Sequence, residues 1–110
     1  MGLMNFAAGK APISVTGVTE ELTESGVAVS SRCAFMGLLV ATDGTNNITI
    51  NVYDNATAAS GTKLLPTDTV FLASGRLQAV GLLKGIAAQN GLYVEITCAG
   101  DAKVMVLYDN

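Results

Sequence analysis

Histidine and tryptophan are absent from this chain of 110 residues, and charge is scarce: 14% of the residues are Asp, Glu, Lys or Arg, against roughly 25% in an ordinary soluble domain. Without histidine the chain has no imidazole to serve as a general base near neutrality. Its two cysteines, Cys33 and Cys98, stand far apart with no CxxC, so a zinc site is close to excluded. Neither a Gly-x-Ser-x-Gly elbow nor a P-loop occurs. Asp43, Asp54, Asp68 and Asp101 are candidates for the paired carboxylates of a glycosidase. Each, however, stands in a turn-like context, where Asp is expected for its local backbone hydrogen bonds. No catalysis and no cofactor are expected. The cluster of Glu20, Glu21 and Glu24 lacks the alternating oxygen ligands and glycine turn of a calcium loop and reads as a solvated acidic loop.

Basic residues are few and scattered, at Lys10, Arg32, Lys63, Arg76, Lys84 and Lys103, and the net charge is −3. With no basic run or aromatic platform, direct nucleic-acid binding is not expected. No apolar stretch approaches the roughly 20 residues that cross a bilayer as a helix, and the N-terminus lacks the basic-then-apolar layout of a signal peptide. Met1-Gly2 opens like a myristoylation signal, but Phe6 occupies the position that needs Ser or Thr. The expectation is a soluble, non-exported product without membrane contact, whose thiols stay reduced. A pairing of Cys33 with Cys98 across a sandwich is the alternative.

Half of the residues are hydrophobic, mainly Ala, Val, Leu and Ile. Such a small domain has little charge with which to cover its surface. Either a neighbouring subunit covers part of it, or this is a weakly charged Ala- and Thr-rich β domain. The length fits one domain.

The run from Cys33 to Asn55 organises the chain. Two strand-like segments flank Asp43-Gly-Thr-Asn-Asn47, and in the second Ile48, Ile50 and Val52 alternate with Thr49, Asn51 and Tyr53, the period of a strand with one buried face. Asp-Gly favours a reversal, so a hairpin is predicted here. Upstream, residues 1–12 have no period and read as a flexible arm carrying Leu3, Met4 and Phe6; residues 13–110 read as a single β domain. Ile13 to Gly17 alternates as a first strand. Thr19 to Glu24 fits either a helical turn capped by Thr19 or a polar strand edge, and Val27 to Val29 is a short strand. Downstream, Thr69 to Ala73 is a short strand. Gly81 and Gly85 in Leu77 to Ile86 speak for bends or bulges rather than a helix. Leu92 to Cys98 places Leu92, Val94, Ile96 and Cys98 inward. Ala102 to Tyr108 is apolar on both sides, hence central in its sheet or covered by a partner. Turn signals at short intervals and the lack of any 3.6-residue period predict an all-β fold, an antiparallel β-sandwich or jelly-roll-like barrel of seven or eight short strands.

Thr-Asp-Gly-Thr-Asn (42–46), Ile-Asn-Val-Tyr-Asp-Asn (50–55), Ala-Ser-Gly-Thr-Lys-Leu (59–64) and Asn-Gly-Leu-Tyr-Val (90–94) together resemble small β-rich virion proteins of tailed bacteriophages. Within that set the chain is most similar to the capsid decoration (cement) proteins of short-tailed phages. The resemblance runs from Cys33 to Asn110 and rests on turn-and-strand phrases, not on a site signature. It implies a jelly-roll-like fold, no cofactor, and many copies on the capsid exterior bridging major-capsid subunits. The product would be made in the host cytoplasm. Expected contacts with the major capsid protein or another partner are Leu3, Met4, Phe6, Met105 and Leu107. Self-association is also expected, with a dimer preferred over a trimer, through strand edges or the two-sided final strand. The alternative is a head-fibre or tail-associated module that binds host glycans, with Tyr53, Asp54, Tyr108 and Asp109 as contacts.

Overall fold

The computed structural model describes residues 19–110. Eight strands follow one another: β1 (Thr19–Leu22), β2 (Gly26–Val29), β3 (Cys33–Thr42), β4 (Ile48–Tyr53), β5 (Thr69–Phe71), β6 (Leu77–Ala88), β7 (Leu92–Thr97) and β8 (Ala102–Asp109), with one 3₁₀ turn at Ala73–Gly75. They form two four-stranded sheets, ordered β1-β8-β3-β6 and β2-β7-β4-β5, and every pairing is antiparallel. The fold is the expected all-β sandwich, and it is not a closed barrel. The pairs β4·β5, β3·β6, β2·β7 and β1·β8 nest inside one another. The chain is thus one long hairpin rolled over on itself, the strand order of an eight-stranded jelly roll. The predicted strand at 13–17 and the arm of residues 1–12 lie outside the described residues.

The core forms where the two sheets face each other. Phe35, Leu38, Val40, Val104 and Val106 line one wall, and Ile48, Ile50, Val52, Leu92 and Val94 the other; all are fully buried. This arrangement overturns the predicted hairpin between Cys33 and Asn55. β3 and β4 do not pair; they belong to opposite sheets. Both carry a complete row of large apolar side chains. Laid side by side, those rows would need a further layer to cover them; placed in opposite sheets, they bury each other. The Asp-Gly turn is real but crosses between layers. Asp43 holds it, its carboxylate accepting from the Thr45 amide at 2.8 Å, the Asn46 amide at 2.8 Å and Asn46 Nδ2 at 2.9 Å. Gly44 takes φ +83°.

Thr19–Leu22 adopts the strand-edge alternative, not the helical turn. The glycines of β6 mark a distortion, as expected. Between the Phe35–Ile86 and Gly37–Gly81 pairings β3 carries only Met36, whereas β6 carries Leu82, Leu83, Lys84 and Gly85. Gly37 takes φ +142° there, and a side chain on it would run into the Val80 carbonyl. β8 is central in its sheet, one of the two explanations offered for its apolar sides. Cys33 and Cys98 are both free thiols. Cys33 starts β3 opposite Ala88, while Cys98 lies by the Thr42–Ala102 end, so the ten-residue β3 sets them on the order of 30 Å apart.

Four backbone and side-chain donors converge on the Asp43 carboxylate, Asn46 Nδ2 foremost, then the Asn46, Thr45 and Asp101 amides, and hold its pKa at about 2 against an ordinary 3.8. A depressed carboxylate stabilises the fold above its unfolded pKa and loses that contribution as pH falls through the folded value. Stability at the crossing turn is therefore expected to hold from neutrality to about pH 4 and to decline toward pH 2. Asp43→Ala should be less stable at pH 7 and show a shallower acid decline, measured by urea unfolding across that range.

Candidate functional site

The outer faces of the two sheets differ sharply. On the sheet β2-β7-β4-β5 the outward residues of β4 and β7 are Thr49, Asn51, Tyr53, Tyr93, Glu95 and Thr97, with Asn51 opposite Glu95 and Tyr53 opposite Tyr93. Across these two central strands the face is polar, while Val27 and Val70 stand exposed on its edge strands. Asn51, only 5% exposed, donates from Nδ2 to Asp68 Oδ1 at 2.9 Å and to Glu95 Oε1 at 3.1 Å. Its Oδ1 accepts from the Asp68 amide at 2.7 Å. Asp68 sits at φ +53°, so the Asn51 amide pins a left-handed kink just before β5. Lys63 Nζ lies 5.2 Å from the centre of the Tyr53 ring, a cation–π contact. Desolvation raises the Tyr53 pKa above its ordinary value, with the Glu95 charge, a Glu95 hydrogen bond and the Asp68 charge adding to the shift.

The residues proposed as glycan contacts are not gathered on one surface. Tyr53 is buried at 8% exposure. The Asp54 carboxylate accepts from the Gln89 amide at 3.0 Å and the Asn90 amide at 2.8 Å, holding the β6–β7 reversal. Partial burial pushes its pKa up, but hydrogen bonds from the Asn90, Gln89 and Gly91 amides outweigh that and leave it lowered. Tyr108 belongs to the other sheet, where it packs against the core, and Asp109 is exposed. The echoed Tyr-Asp-Asn phrases are two strand ends, one in each sheet. Burial raises the Cys33 pKa, and the nearby Asp54 charge raises it further.

The other sheet presents an apolar outer face. The cross-strand register aligns Thr19, Leu107 and Gly37, then Glu21, Met105 and Leu39, then Lys103 and Ala41, with Gly81, Ala79 and Leu77 beside them on β6. Met105 and Leu107, expected from sequence as partner contacts, both lie on this face, half-buried by their neighbours. A hollow of about 160 Å³ is lined by Glu21, Leu39, Ala41, Leu77, Lys103 and Met105. Leu3, Met4 and Phe6 lie outside the described residues. Sequence reading missed Leu39 and Leu77. The signal was present, because the second parity of β3, with Leu39 and Ala41, holds no polar residue.

Beside this face runs a free strand edge. Of the four sheet edges, β1 is four residues with Glu20 and Glu21. β2 is four residues with a bulge between Val27 and Val29, and β5 is three residues that follow Pro66. These are the usual means of protecting an edge: shortness, charge, proline and bulges. β6 is different. It is twelve residues long, LQAVGLLKGIAA, with Lys84 as its one charge. Among the described residues nothing pairs with its outer side. Leu83 is fully exposed and Leu77 is 68% exposed. No family model, no curated protein and no solved structure matches the chain.

The polar face yields a stability test. Asn51→Ala removes both Nδ2 donors and leaves the Asp68 amide without its acceptor. Its expected cost is about 1–3 kcal/mol, read as a lower urea midpoint. A double variant Asn51→Ala/Asp68→Ala should cost less than the sum of the two single changes, because the two residues share one interaction.

Proposed function

We propose that the chain is a structural virion protein of a tailed bacteriophage, one that binds the outer capsid surface and clamps neighbouring major-capsid subunits without catalysis. The observation that carries this reading is the long, apolar edge of β6, which nothing among the described residues pairs. An extended segment of a capsid subunit adds to such an edge as a further strand. Main-chain hydrogen bonds then supply affinity, and the exposed leucines supply side-chain contacts. Repetition over the capsid lattice turns many modest contacts into firm attachment. The low charge and the resemblance of the turn phrases to those of decoration proteins support the same reading. A jelly roll by itself decides little, since the architecture serves capsid and lectin domains alike. The glycan-binding alternative loses support because Tyr53 is covered and Asp54 is engaged with backbone amides.

The test is to mix the purified chain with phage capsids stripped of their small outer proteins. Saturable binding in many copies per particle, with a gain in heat resistance, is the expected result. Retention on host cell-wall glycan without capsid binding would instead favour the alternative. Leu83→Lys changes a side chain with no internal contacts to lose, so the thermal midpoint should hold while capsid affinity falls about tenfold, roughly 1.4 kcal/mol. Deleting residues 1–12 should also weaken attachment, since the arm is proposed as a second grip. Unchanged binding would remove the arm from the mechanism.

A further inference from the structure

We propose that the apolar outer face of the sheet β1-β8-β3-β6 is the contact surface of a symmetric dimer, occupied by the same face of a second copy of this chain. The inference is independent of the virion role and of the β6 edge.

The first ground is charge complementarity. Around Leu39 and Met105 this face carries one acid and one base, Glu21 on β1 beside Met105 and Lys103 two residues along β8; Asp109, of the same parity, stands at the far end of β8. A two-fold interface places one patch against itself, so a lone charge on the patch would meet or approach its own copy, whereas an acid and a base can exchange partners. Using strand spacings of about 4.8 Å and a rise of about 3.4 Å per residue, one in-plane two-fold axis exchanges the positions of Glu21 and Lys103. Glu21 then faces Lys103 of the second copy, and Lys103 faces its Glu21. The same axis runs past Leu39, which packs on its own counterpart, and brings Leu77 near Leu107 of the second copy. Met105 falls toward Leu39 and Ala41 of the second copy, where the hollow lies. The two sheets cross at about 70°, closer to the orthogonal class of sheet packing than to the aligned one. A single axis thus pairs Glu21 with Lys103 twice and covers the four large apolar side chains Leu39, Leu77, Met105 and Leu107.

The second ground is area. Three strands by roughly six to eight residues, with the four residues of β1 alongside, make a face on the order of 500 Å² per copy. Two copies would bury on the order of 1,000 Å², the lower bound for a specific interface. A reversible dimer is the expected outcome, not an obligate one. Each sandwich has its own buried core, so the protomer does not need the contact in order to fold.

Sedimentation equilibrium of the full chain from about 1 µM to about 500 µM spans the affinities such an area supports. The expected result is a monomer–dimer equilibrium for the parent chain. Glu21→Lys alone and Lys103→Glu alone should each weaken it at least about tenfold, since each sets like charges opposite one another. The combined Glu21→Lys/Lys103→Glu variant should restore it. Thermal midpoints check that the variants remain folded, and recovery in the combined variant guards against a folding artefact. A chain that stays monomeric throughout would overturn the proposal. So would a dimer indifferent to both single changes, which would point to the β6 edge, or a combined variant that stays monomeric.

Discussion

Two rows of side chains, Phe35, Leu38 and Val40 on β3 against Ile48, Ile50 and Val52 on β4, can be buried only by each other, and the rest of the structure accommodates that constraint. Because β3 and β4 lie in opposite sheets, each has to find its hydrogen-bonding partners elsewhere in the sequence. β3 finds β6 and β8, and β4 finds β5 and β7. The nested pairing follows, with its cross-layer turns at Asp43–Asn47 and Gln89–Gly91, each held by a carboxylate accepting from backbone amides. Burying an apolar row stabilises the chain far more than one local reversal does, which is why layer crossing prevails over a simple hairpin.

The same roll leaves two outer surfaces of opposite character. Asn51, Glu95 and Asp68 satisfy one another at the centre of one sheet's outer face. The other sheet exposes Leu39, Met105, Leu107 and Leu77 around the charges of Glu21 and Lys103. Of the molecule's four sheet edges three are short, and the fourth, β6, is long and, among the described residues, unpaired. A domain with three short edges and one long open one, and with one face more polar than the other, has a direction to it.

Much of this was legible in the sequence where the physics is local. Period-two alternation located β4, β7 and β8, Gly81 and Gly85 marked the distorted stretch of β6, and the apolar sides of β8 pointed either to a central place, which it has, or to a covering partner. The two apolar parities of β8 also led to Met105 and Leu107 as surface candidates. What failed was the partner of β3. Alternation says that a strand has a buried face but carries nothing about which strand lies beside it or across from it, and the Asp43-Gly44 signal specifies a reversal without saying whether it stays within a sheet. Tyr53 and Asp54 misled for a related reason. An aromatic next to an acid at a strand end looks available for a ligand, and only the tertiary fold brings Lys63 over the ring and the Gln89–Asn90 backbone onto the carboxylate.

The nesting also carries a time order. β4 and β5 are close in sequence, whereas β1 pairs with β8 across nearly the whole described chain, Thr19 opposite Leu107. Loop-closure entropy favours pairing from the inner pair outward, so the outermost pair closes last. That last pair sets Glu21 beside Met105 and completes the apolar face. The surface most able to stick to another molecule thus comes into being only when the roll is finished, and a chain still being made, or cut short before β8, has no such face to offer.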